Sequence, residues 1–480
     1  MDKKNYLKLD IKNIKKIHFI GIGGIMMSAV AKIFIAYGRQ VSGSDQSESA
    51  ITIELQKLGV RYYLGHKKEN IEPDVNLIIY TMAISQTNEE FLEAKKLGIP
   101  VMSVYQVLGW LSKNKYTLTV SGMHGKTTTT AMLGLTLIEA GFDPTIFVGS
   151  MAKNFGSNVR VGSSDYFVSE ACEYRGNFLE YQPQVAIITN IEAEHLDYFK
   201  NLENIILTFN KFVAQISKKG FLIANGDDDN VRLVAATAKS RIVYYGLDSE
   251  LLKTTTIKPK VNLDFKVKEI IRENNGTSFQ VISKYFKKTE IFFIKVFGLH
   301  NVYNALAVIA AATILKVKPD VIRIALEKFS GTWRRLEYKG TKKKIILYDD
   351  YAHHPTEVKA SLSALREQFT DKKIIVIFQP HLFSRTKEFL KEFALSFYDA
   401  DEVILTDIYA AREENNKDIN SKMLAAEIKK INKKTYYCPS FSDILLYLHN
   451  HLLGEEVVVT MGAGDIYKVG EMYLKNKIKH

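Results

Sequence analysis

The chain has 480 residues, of which 46% are hydrophobic and only 9 are proline, a composition that excludes extensive disorder. At roughly 100–200 residues per domain, this length predicts about three domains. The net charge of +12 comes from lysines scattered in short pairs such as Lys218-Lys219, without the dense basic arm typical of nucleic-acid binding. We therefore expect most of them on solvated faces and do not expect a nucleic-acid partner.

Two observations concern the cellular setting. The longest apolar run, residues 305–315, is much shorter than a membrane span, and the first residues are polar where a signal peptide would be apolar. Cys172 and Cys438 are far apart and form neither a metal-binding spacing nor a disulfide framework. We therefore expect a cytoplasmic protein without membrane insertion and with reduced thiols. The sequence leaves the oligomeric state open.

The first predicted unit is a strand, a glycine-rich turn and a helix. Residues 17–31 read IHFIGIGGIMMSAVA, and a second strand starts at 40–41 and leads to Asp45. An acidic residue about 20 positions after the first glycine is where a Rossmann-type fold places its ribose contact. Because Met26 replaces the third glycine of GxGxxG, the motif is partial. A dinucleotide, a nucleotide diphosphate and a glycine turn without a ligand all remain open.

The next unit carries the clearest chemical motif. Residues 117–120 form a predicted strand, and 122–127 (GMHGKT) lead into a predicted helix at 131–140. In such a loop, backbone N–H groups converge on a polyphosphate, a lysine neutralises the β and γ oxygens, and a threonine hydroxyl joins a Mg²⁺ shell. Val120 stands where the full motif has another glycine. The shortened motif predicts ATP or GTP binding, with a threonine-capped helix as the purely structural alternative.

Two further predicted strands of this unit end in acidic segments. The strand at 166–170 ends in Glu170, and the strand at 185–189 is followed by His195. Because ligand groups gather at the carboxyl ends of parallel strands, we expect these two side chains to face the phosphate loop and hold its metal. The remaining acids of these segments are expected in solvated loops: Glu173, Glu192 and Glu194.

The region after the phosphate-binding unit is divided by a predicted hinge. Residues 251–297 contain alternating segments typical of β-structure, and 297–305 (FGLHNVYNA) open a long apolar helix. Residues 330–335 (SGTWRR) form the predicted hinge. The predicted domains are therefore 1–114, 115–331 and 332–480.

The last third is predicted to alternate strands and helices, with strands at 344–348, 373–378, 402–406 and 456–461. Polar clusters follow three of these strands, namely 349–357 (DDYAHHPTE), 379–386 (QPHLFSRT) and 461–465 (MGAGD). Three polar clusters at strand ends of one sheet are hard to explain by folding alone, and they indicate a second functional site.

Taken in this order, the motifs resemble the Mur ligases of bacterial cell-wall synthesis. The resemblance covers nearly the whole chain and rests on residues 18–24 (HFIGIGG), 43–45 (GSD), 122–130 (GMHGKTTTT), 170–174 (EACEY), 190–195 (NIEAEH), 300–304 (HNVYN), 349–357, 378–381 (FQPH) and 462–464 (GAG). It implies an α/β protein of three domains: an N-terminal Rossmann-like domain for a UDP-sugar, a central P-loop ATPase domain and a C-terminal Rossmann-like domain for an amino acid.

The resemblance also implies the activity. It points to a ligase dependent on ATP and Mg²⁺ that joins L-alanine to the lactyl carboxylate of UDP-N-acetylmuramate through an acyl phosphate. Three alternatives stay open: a ligase that attaches a ready-made tripeptide to the same sugar nucleotide, a catalytically inactive Mur-like binding protein, and an NAD-dependent dehydrogenase. Residues 170–177 (EACEYRGN) favour the alanine-adding enzyme.

Roles for individual residues follow from the same resemblance. Catalytic roles fall to Lys126, His353, His381 and Arg385. The implied ATP contacts are Gly122, Met123, His124, Gly125, Lys126, Thr127, Thr128, His300, Asn301, Asn304, Arg334 and Asp350. The implied substrate contacts are Gly21, Gly23, Gly24, Ser28, Asp45, His195, Tyr351, His353 and Arg385, and the implied metal ligands are Thr127, Glu170 and His195. The chain departs from the family pattern at Met26, Met123 and Leu382.

Overall fold

A computed structural model of the chain describes residues 9–10, 13–251, 261–411, 413–414, 418–432 and 434–475. The first residues, on which the expectation of no signal peptide depends, lie outside this range. The chain divides into two units by its contacts. The first unit comprises Met1–Glu269, Gln280–Phe292 and Asn304–Phe329, and the second comprises Ile270–Phe279, Phe293–Tyr303 and Ser330–His480.

The N-terminal sheet has five parallel strands in the order β3-β2-β1-β4-β5. Its strands are β1 Lys16–Ile20, β2 Gln40–Asp45, β3 Arg61–Leu64, β4 Leu77–Tyr80 and β5 Val101–Ser103. Its helices are α1 Ile25–Ala36, α2 Ala50–Lys57, α3 Glu89–Lys96 and α4 Val104–Ser112, with a 3₁₀ helix at Lys68–Asn70. Capping boxes at Ser49 and Ser103 begin α2 and α4, because each serine accepts a hydrogen bond from the exposed N–H groups of the first turn.

The central sheet has ten strands in the order β15-β14-β13-β12-β11-β10-β6-β9-β7-β8. These strands are β6 Tyr116–Ser121, β7 Thr145–Ala152, β8 Ser157–Arg160, β9 Tyr166–Glu170, β10 Val185–Ile188, β11 Phe221–Asn225, β12 Arg241–Leu247, β13 Phe265–Glu273, β14 Gly276–Ser283 and β15 Glu290–Ile294. The helices are α5 Lys126–Glu139, α6 Leu196–Phe199, α7 Leu202–Val213, α8 Asp229–Ala235, α9 Leu299–Ile314 and α10 Pro319–Lys328, with a 3₁₀ segment at Tyr174–Glu180. Strand β6 lies between β9 and β10 and is parallel to both, so the carboxyl ends of these three strands are neighbours.

The C-terminal sheet has six strands in the order β16-β17-β21-β18-β19-β20, and only β16 is antiparallel to its neighbour. Its strands are β16 Glu337–Lys342, β17 Ile345–Asp350, β18 Ile374–Phe378, β19 Glu402–Leu405, β20 Thr435–Tyr437 and β21 Val457–Met461. Its helices are α11 Pro355–Gln368, α12 Phe383–Glu388, α13 Leu390–Ser396, α14 Ser421–Lys429, α15 Phe441–His451 and α16 Tyr467–Lys475. The central strands β17, β21 and β18 place the three predicted polar clusters at one edge of this sheet.

The three sheets with their helices confirm the predicted α/β fold class. The structure corrects two details. Helix α5 begins at Lys126, five residues earlier than the apolar periodicity indicates, because the threonines of its first turns are buried. Strand β17 continues through Asp349 and Asp350, which pair with β21 and so belong to the strand instead of following it. The domain limits at 114 and 331 stay predictions.

Two further expectations concern membrane spans and the cysteines. None of the helices in the described part of the chain combines the length and apolar character that a membrane span requires. Cys172 and Cys438 are not bonded to each other in the structure. Burial raises the pKa of the Cys172 thiol to about 12, so this thiol stays protonated and unreactive.

Candidate active site

The phosphate loop connects β6 to α5 and contains two glycines at positions where other residue types would not fit. Gly122 has φ 131° and Gly125 has φ 81°, the left-handed region that favours glycine. A Cβ atom at Gly125 would also collide with the side-chain oxygen of Asn304. The implied ATP contact Asn304 is thus placed directly against the loop, within the first unit.

Lys126 is the first residue of α5 and folds back over the loop. Its Nζ donates to the carbonyl oxygens of Gly122 at 2.5 Å and Met123 at 2.9 Å, and it lies 3.1 Å from Oε2 of Glu173. Burial alone would lower the pKa of Lys126, but the nearby negative groups, Glu173 above all, outweigh burial and raise that pKa. The ammonium is therefore a fixed positive charge at the N-terminus of a helix, where a polyphosphate binds well.

Thr127 and Glu170 form the oxygen pair that the sequence predicts for a metal. The Thr127 hydroxyl donates to Oε2 of Glu170 at 2.8 Å, and the backbone N–H of Gly149 donates to the same oxygen at 2.9 Å. Any side chain at position 149 would collide with this carboxylate. A hydroxyl and a carboxylate in this arrangement are hard oxygen ligands of the kind that Mg²⁺ prefers.

His195 lies at the start of α6 and contacts Glu173. Its Nε2 is 3.3 Å from Oε1 of Glu173, and its ring centroid is 4.7 Å from that of Tyr174. The expectation of a solvated loop is wrong for Glu173 and Glu194, which are only 1% and 5% exposed. Burial alone would raise the pKa of Glu173, but Lys126 and His195 outweigh it and hold that pKa below its usual range.

The segment that follows β10 holds the loop from the other side. The carbonyl and side-chain oxygens of Asn190 accept hydrogen bonds from the backbone N–H groups of Met123 at 3.2 Å and His124 at 2.9 Å. The imidazole of His124 contacts the carboxylate of Glu192, which is therefore engaged and not merely solvated. Met123 contributes its backbone to these bonds, so its departure from the family pattern leaves the loop contacts intact. Thr128 is buried in the first turn of α5.

The glycine turn after β1 has the features of a diphosphate site. The N–H of Gly23 donates to Oδ2 of Asp45 at 2.8 Å, which ties the turn to the end of β2. Gly21 has φ 84°, and a Cβ atom there would lie 2.6 Å from a methyl carbon of Thr81. Gly24 caps α1 without a side-chain hydrogen bond. The N–H groups at the start of a helix carry partial positive charge, which favours an anion at this turn.

Ser28 and Met26 occupy the same helix but face protein. Ser28 is 1% exposed, donates to the carbonyl of Ile25 at 2.9 Å and accepts from Nδ2 of Asn158 at 3.2 Å. Met26 packs against the hydrophobic core. The implied substrate contact of Ser28 stays a prediction, while its observed role is to connect α1 with β8.

The first turn of α9 carries two further implied ATP contacts, His300 and Asn301. Nδ2 of Asn301 donates to the carbonyl of Phe297 at 2.7 Å and lies 3.1 Å from Nε2 of His300. His300 and Asn301 belong to the second unit, whereas Asn304 belongs to the first. The ATP contacts of all three residues stay predictions.

The second unit brings together the catalytic candidates of the C-terminal sheet. The rings of His353 and His381 are 5.9 Å apart, and Nη1 of Arg385 lies 3.3 Å from Nδ1 of His381. Nδ1 of His353 is 2.9 Å from the carbonyl oxygen of Tyr351 and 3.2 Å from the carboxylate of Glu357. Two acceptors at Nδ1 favour a proton on that atom, so the lone pair of the neutral imidazole lies on Nε2.

Arg334 is bound inside this unit. Its guanidinium donates to Asp349 at 2.8 Å and to the carbonyls of Gly464 at 2.8 Å and Gly462 at 2.6 Å, and only 2% of the residue is exposed. The implied contact with ATP stays a prediction, because these bonds occupy the guanidinium here.

Asp350 is likewise engaged by protein. It accepts hydrogen bonds from the N–H groups of Leu336 at 2.9 Å and Ala352 at 2.7 Å and from the hydroxyl of Ser361 at 3.0 Å. Burial raises its pKa to about 6. Its implied contact with ATP stays a prediction.

Sequence reasoning missed three residues that shape these sites: Gly149, Glu173 and Tyr409. The ring of Tyr409 stacks on His381 with centroids 5.6 Å apart, and a Cβ at Gly464 would lie 2.9 Å from that ring. Leu382, with φ 72°, donates its N–H to the Tyr409 carbonyl at 2.9 Å. Glu173 and Tyr409 both lie within four residues of a strand end, which is a signal that could have identified them.

Comparisons with known proteins define the class. Three family profiles match in chain order: "Mur ligase family, catalytic domain" at residues 16–116, "Mur ligase middle domain" at 120–312 and "Mur ligase, glutamate ligase domain" at 334–464. The chain belongs to the Mur ligase family.

Particular relatives narrow the class further. The chain is 44% identical to a UDP-N-acetylmuramate–L-alanine ligase of Clostridium kluyveri, over 97% of this chain and 98% of the relative. It is 43% identical to the protein of that name from Acetivibrio thermocellus, over 98% and 97% of the two chains. The crystal structure of UDP-N-acetylmuramate-alanine ligase MurC from Thermotoga maritima is similar, with a TM-score of 0.80 and 29% identity, covering 96% of this chain and 98% of that one.

Proposed function

We propose that the chain is an ATP-dependent ligase that joins L-alanine to the lactyl carboxylate of UDP-N-acetylmuramate, the first peptide step of peptidoglycan precursor synthesis in the cytoplasm. The observation that supports this proposal is the arrangement of Lys126, Thr127 and Glu170 around the phosphate loop, in a chain 44% identical to a ligase of that name. A catalytically inactive Mur-like binding protein would have no need to keep this site.

The proposed reaction has two steps. The lactyl carboxylate attacks the γ-phosphorus of ATP, which forms an acyl phosphate and releases ADP. The alanine amine then attacks the acyl carbon and releases inorganic phosphate, which leaves the amide. Phosphoryl transfer of this type depends on positioning and charge neutralisation.

Lys126 and the N-terminus of α5 are proposed to hold the phosphates of ATP. The fixed ammonium and the N–H groups of the loop provide positive charge where the transferring group becomes more negative. Thr127 and Glu170, whose oxygens lie 2.8 Å apart, and His195 are proposed to hold Mg²⁺, which when bound neutralises phosphate charge.

The amino acid is proposed to bind at the C-terminal cluster. Nε2 of His353 can take a proton from the alanine ammonium, and Arg385 can bind the alanine carboxylate or the acyl phosphate through two N–H groups. At the N-terminal sheet, the turn of Gly21, Gly23 and Gly24 with Asp45 is proposed to bind the UDP end of the sugar nucleotide.

A phosphate-release assay tests this function. ATP, Mg²⁺ and UDP-N-acetylmuramate are combined with L-alanine, L-serine, glycine or the recycling tripeptide in separate reactions. We expect release that depends on the sugar nucleotide and is fastest with L-alanine. Faster release with the tripeptide would indicate the recycling ligase, and no release with any acceptor would indicate an inactive binding protein.

A further inference from the structure

One buried carboxylate, Glu173, contacts two groups of the phosphate site without a role of its own in the proposed reaction. Glu173 is 1% exposed. Its Oε2 lies 3.1 Å from Nζ of Lys126, and its Oε1 lies 3.3 Å from Nε2 of His195. The two oxygens of one side chain thus contact the phosphate-binding lysine and the proposed metal-binding histidine separately.

Three different elements bring these groups together. Glu173 immediately precedes the 3₁₀ segment Tyr174–Glu180, Lys126 begins α5, and His195 precedes α6. The ring of Tyr174 packs on the imidazole of His195, with 4.7 Å between centroids. The imidazole is therefore restrained by a ring contact and by a carboxylate from adjacent residues of the same segment.

The chemistry of the pair distinguishes this arrangement from simple charge neutralisation. If Glu173 served only as the counter-ion of Lys126, contact with the ammonium would be enough. Glu173 also contacts an imidazole nitrogen of His195. A neutral imidazole carries its proton on one nitrogen, and a carboxylate beside Nε2 selects the form in which Nε2 is protonated. Nδ1 is then the lone-pair atom, and a carboxylate behind a ligating histidine is a common way to orient the ring.

We propose that Glu173 is a positioning residue of the phosphate site, which fixes the ammonium of Lys126 over the loop and orients His195 with Nε2–H toward Glu173 and Nδ1 toward the ligand. The role in turnover rests on the proposed function. The restraint on the two side chains does not, because it exists in the protein without substrates.

The tautomer of His195 is the first test. ¹⁵N NMR of the full-length protein, without nucleotide or metal, reports which imidazole nitrogen carries the proton, and His195→Gln assigns the signal. We expect the Nε2–H form. A predominant Nδ1–H form, or a ring protonated on both nitrogens, would overturn the proposal, whether or not the protein adds alanine.

Variants supply the second test. Glu173→Gln keeps the size of the side chain but removes its charge, Glu173→Asp keeps the charge, and Glu203→Gln is the control because Glu203 lies exposed in the first turn of α7. We expect Glu173→Gln to lower kcat by about 10- to 100-fold and Glu173→Asp to recover part of that loss. Glu203→Gln should behave as the wild type.

Binding of ADP in the presence of a chelator separates positioning from damage to the fold. Glu173→Gln leaves the charge of Lys126 unshared, so we expect metal-free ADP to bind about three- to tenfold more tightly by calorimetry although turnover falls. A parallel loss of ADP affinity and turnover would show a merely structural role and overturn the proposal. Turnover within threefold of wild type would overturn it as well. If the wild type shows no ligase activity, the proposed function fails, while the tautomer and ADP measurements still decide this inference.

Discussion

Arg334 donates from Nε to Oδ2 of Asp349 at 2.8 Å, and both side chains are almost completely buried. Asp349 also accepts from the hydroxyl of Thr460, and the other nitrogens of Arg334 donate to the carbonyls of Gly462 and Gly464. The arginine therefore connects the segment before β16 to the ends of β17 and β21. It is a structural connection inside the second unit, at a position where the sequence predicts a hinge.

Removing this arginine should destabilise the second unit. Arg334→Ala leaves the Asp349 carboxylate and two carbonyls without their partner, and breaking a buried ion pair costs about 3–5 kcal/mol. Differential scanning calorimetry should show a clearly lower Tm. Arg272→Ala is the matched control, because its ion pair with Glu367 is half-exposed and should contribute less than about 1 kcal/mol. Equal Tm values for both variants would contradict the connection.

The phosphate loop should lose function without loss of fold when its lysine is removed. Lys126→Ala deletes the buried positive charge that Glu173 and the loop carbonyls hold in place. We expect phosphate release at least about 100-fold slower, since backbone amides cannot replace the charge in the transition state. The circular dichroism spectrum of Lys126→Ala should match that of the wild type. Lys218 is exposed, so the control variant Lys218→Ala should match the wild type in both phosphate release and spectrum. Near-normal turnover would show that the loop is not catalytic.

Gly149 offers a test of the proposed metal ligand that leaves the ligand itself in place. Gly149→Ala puts a methyl group where the Glu170 carboxylate lies, so the carboxylate must move away from Thr127. We expect the Mg²⁺ concentration for half-maximal rate to rise about 10-fold or more. Gly470→Ala is a suitable control, because a Cβ there makes only ordinary contacts of 3.6 Å or longer. An unchanged Mg²⁺ requirement would argue against Glu170 as a ligand.

Arg385 should matter for amide formation more than for ATP affinity. It is 9% exposed and lies beside His381 in the cluster proposed for alanine. Arg385→Ala should lower kcat with L-alanine by about 100-fold, and Arg385→Lys should also be poor because an ammonium cannot make two parallel contacts. Initial rates at varied ATP and alanine separate the two effects. Weakened ATP binding with normal alanine kinetics would place the alanine site elsewhere.

Asp350 should make stability depend on pH. Burial raises its folded-state pKa to about 6, above the roughly 4 of an unfolded aspartate, so the folded state binds the proton more tightly. The stabilisation that comes from this tighter proton binding is fully present below pH 4 and is lost as the pH rises through 6. The stability penalty of Asp350→Asn should therefore be larger at pH 4.5 than at pH 7.5, by up to about 2 kcal/mol. A penalty independent of pH, measured by urea unfolding, would contradict this.

The sequence by itself determined the elements and most of the chemistry. Periodicity predicted β6, β9 and β10, and the GMHGKT loop predicted the phosphate site, because glycines and a lysine at fixed spacing meet a local geometric need. Strand ends then pointed to Glu170, and the order of motifs pointed to the family that the comparisons confirm. The edge strands β3 and β16 contain no buried residues, so the sequence showed no hydrophobic periodicity that would predict them.

Only the tertiary structure decided which side chains meet. The neighbour order β9-β6-β10 is set by sheet assembly, and it places Glu173 against Lys126 and His195. In the sequence, Glu173 has the same polar surroundings as an acid in a solvated loop. Its burial depends on two positive or hydrogen-bond-donating partners from distant segments, because a carboxylate leaves water only where such partners offset the cost of desolvation.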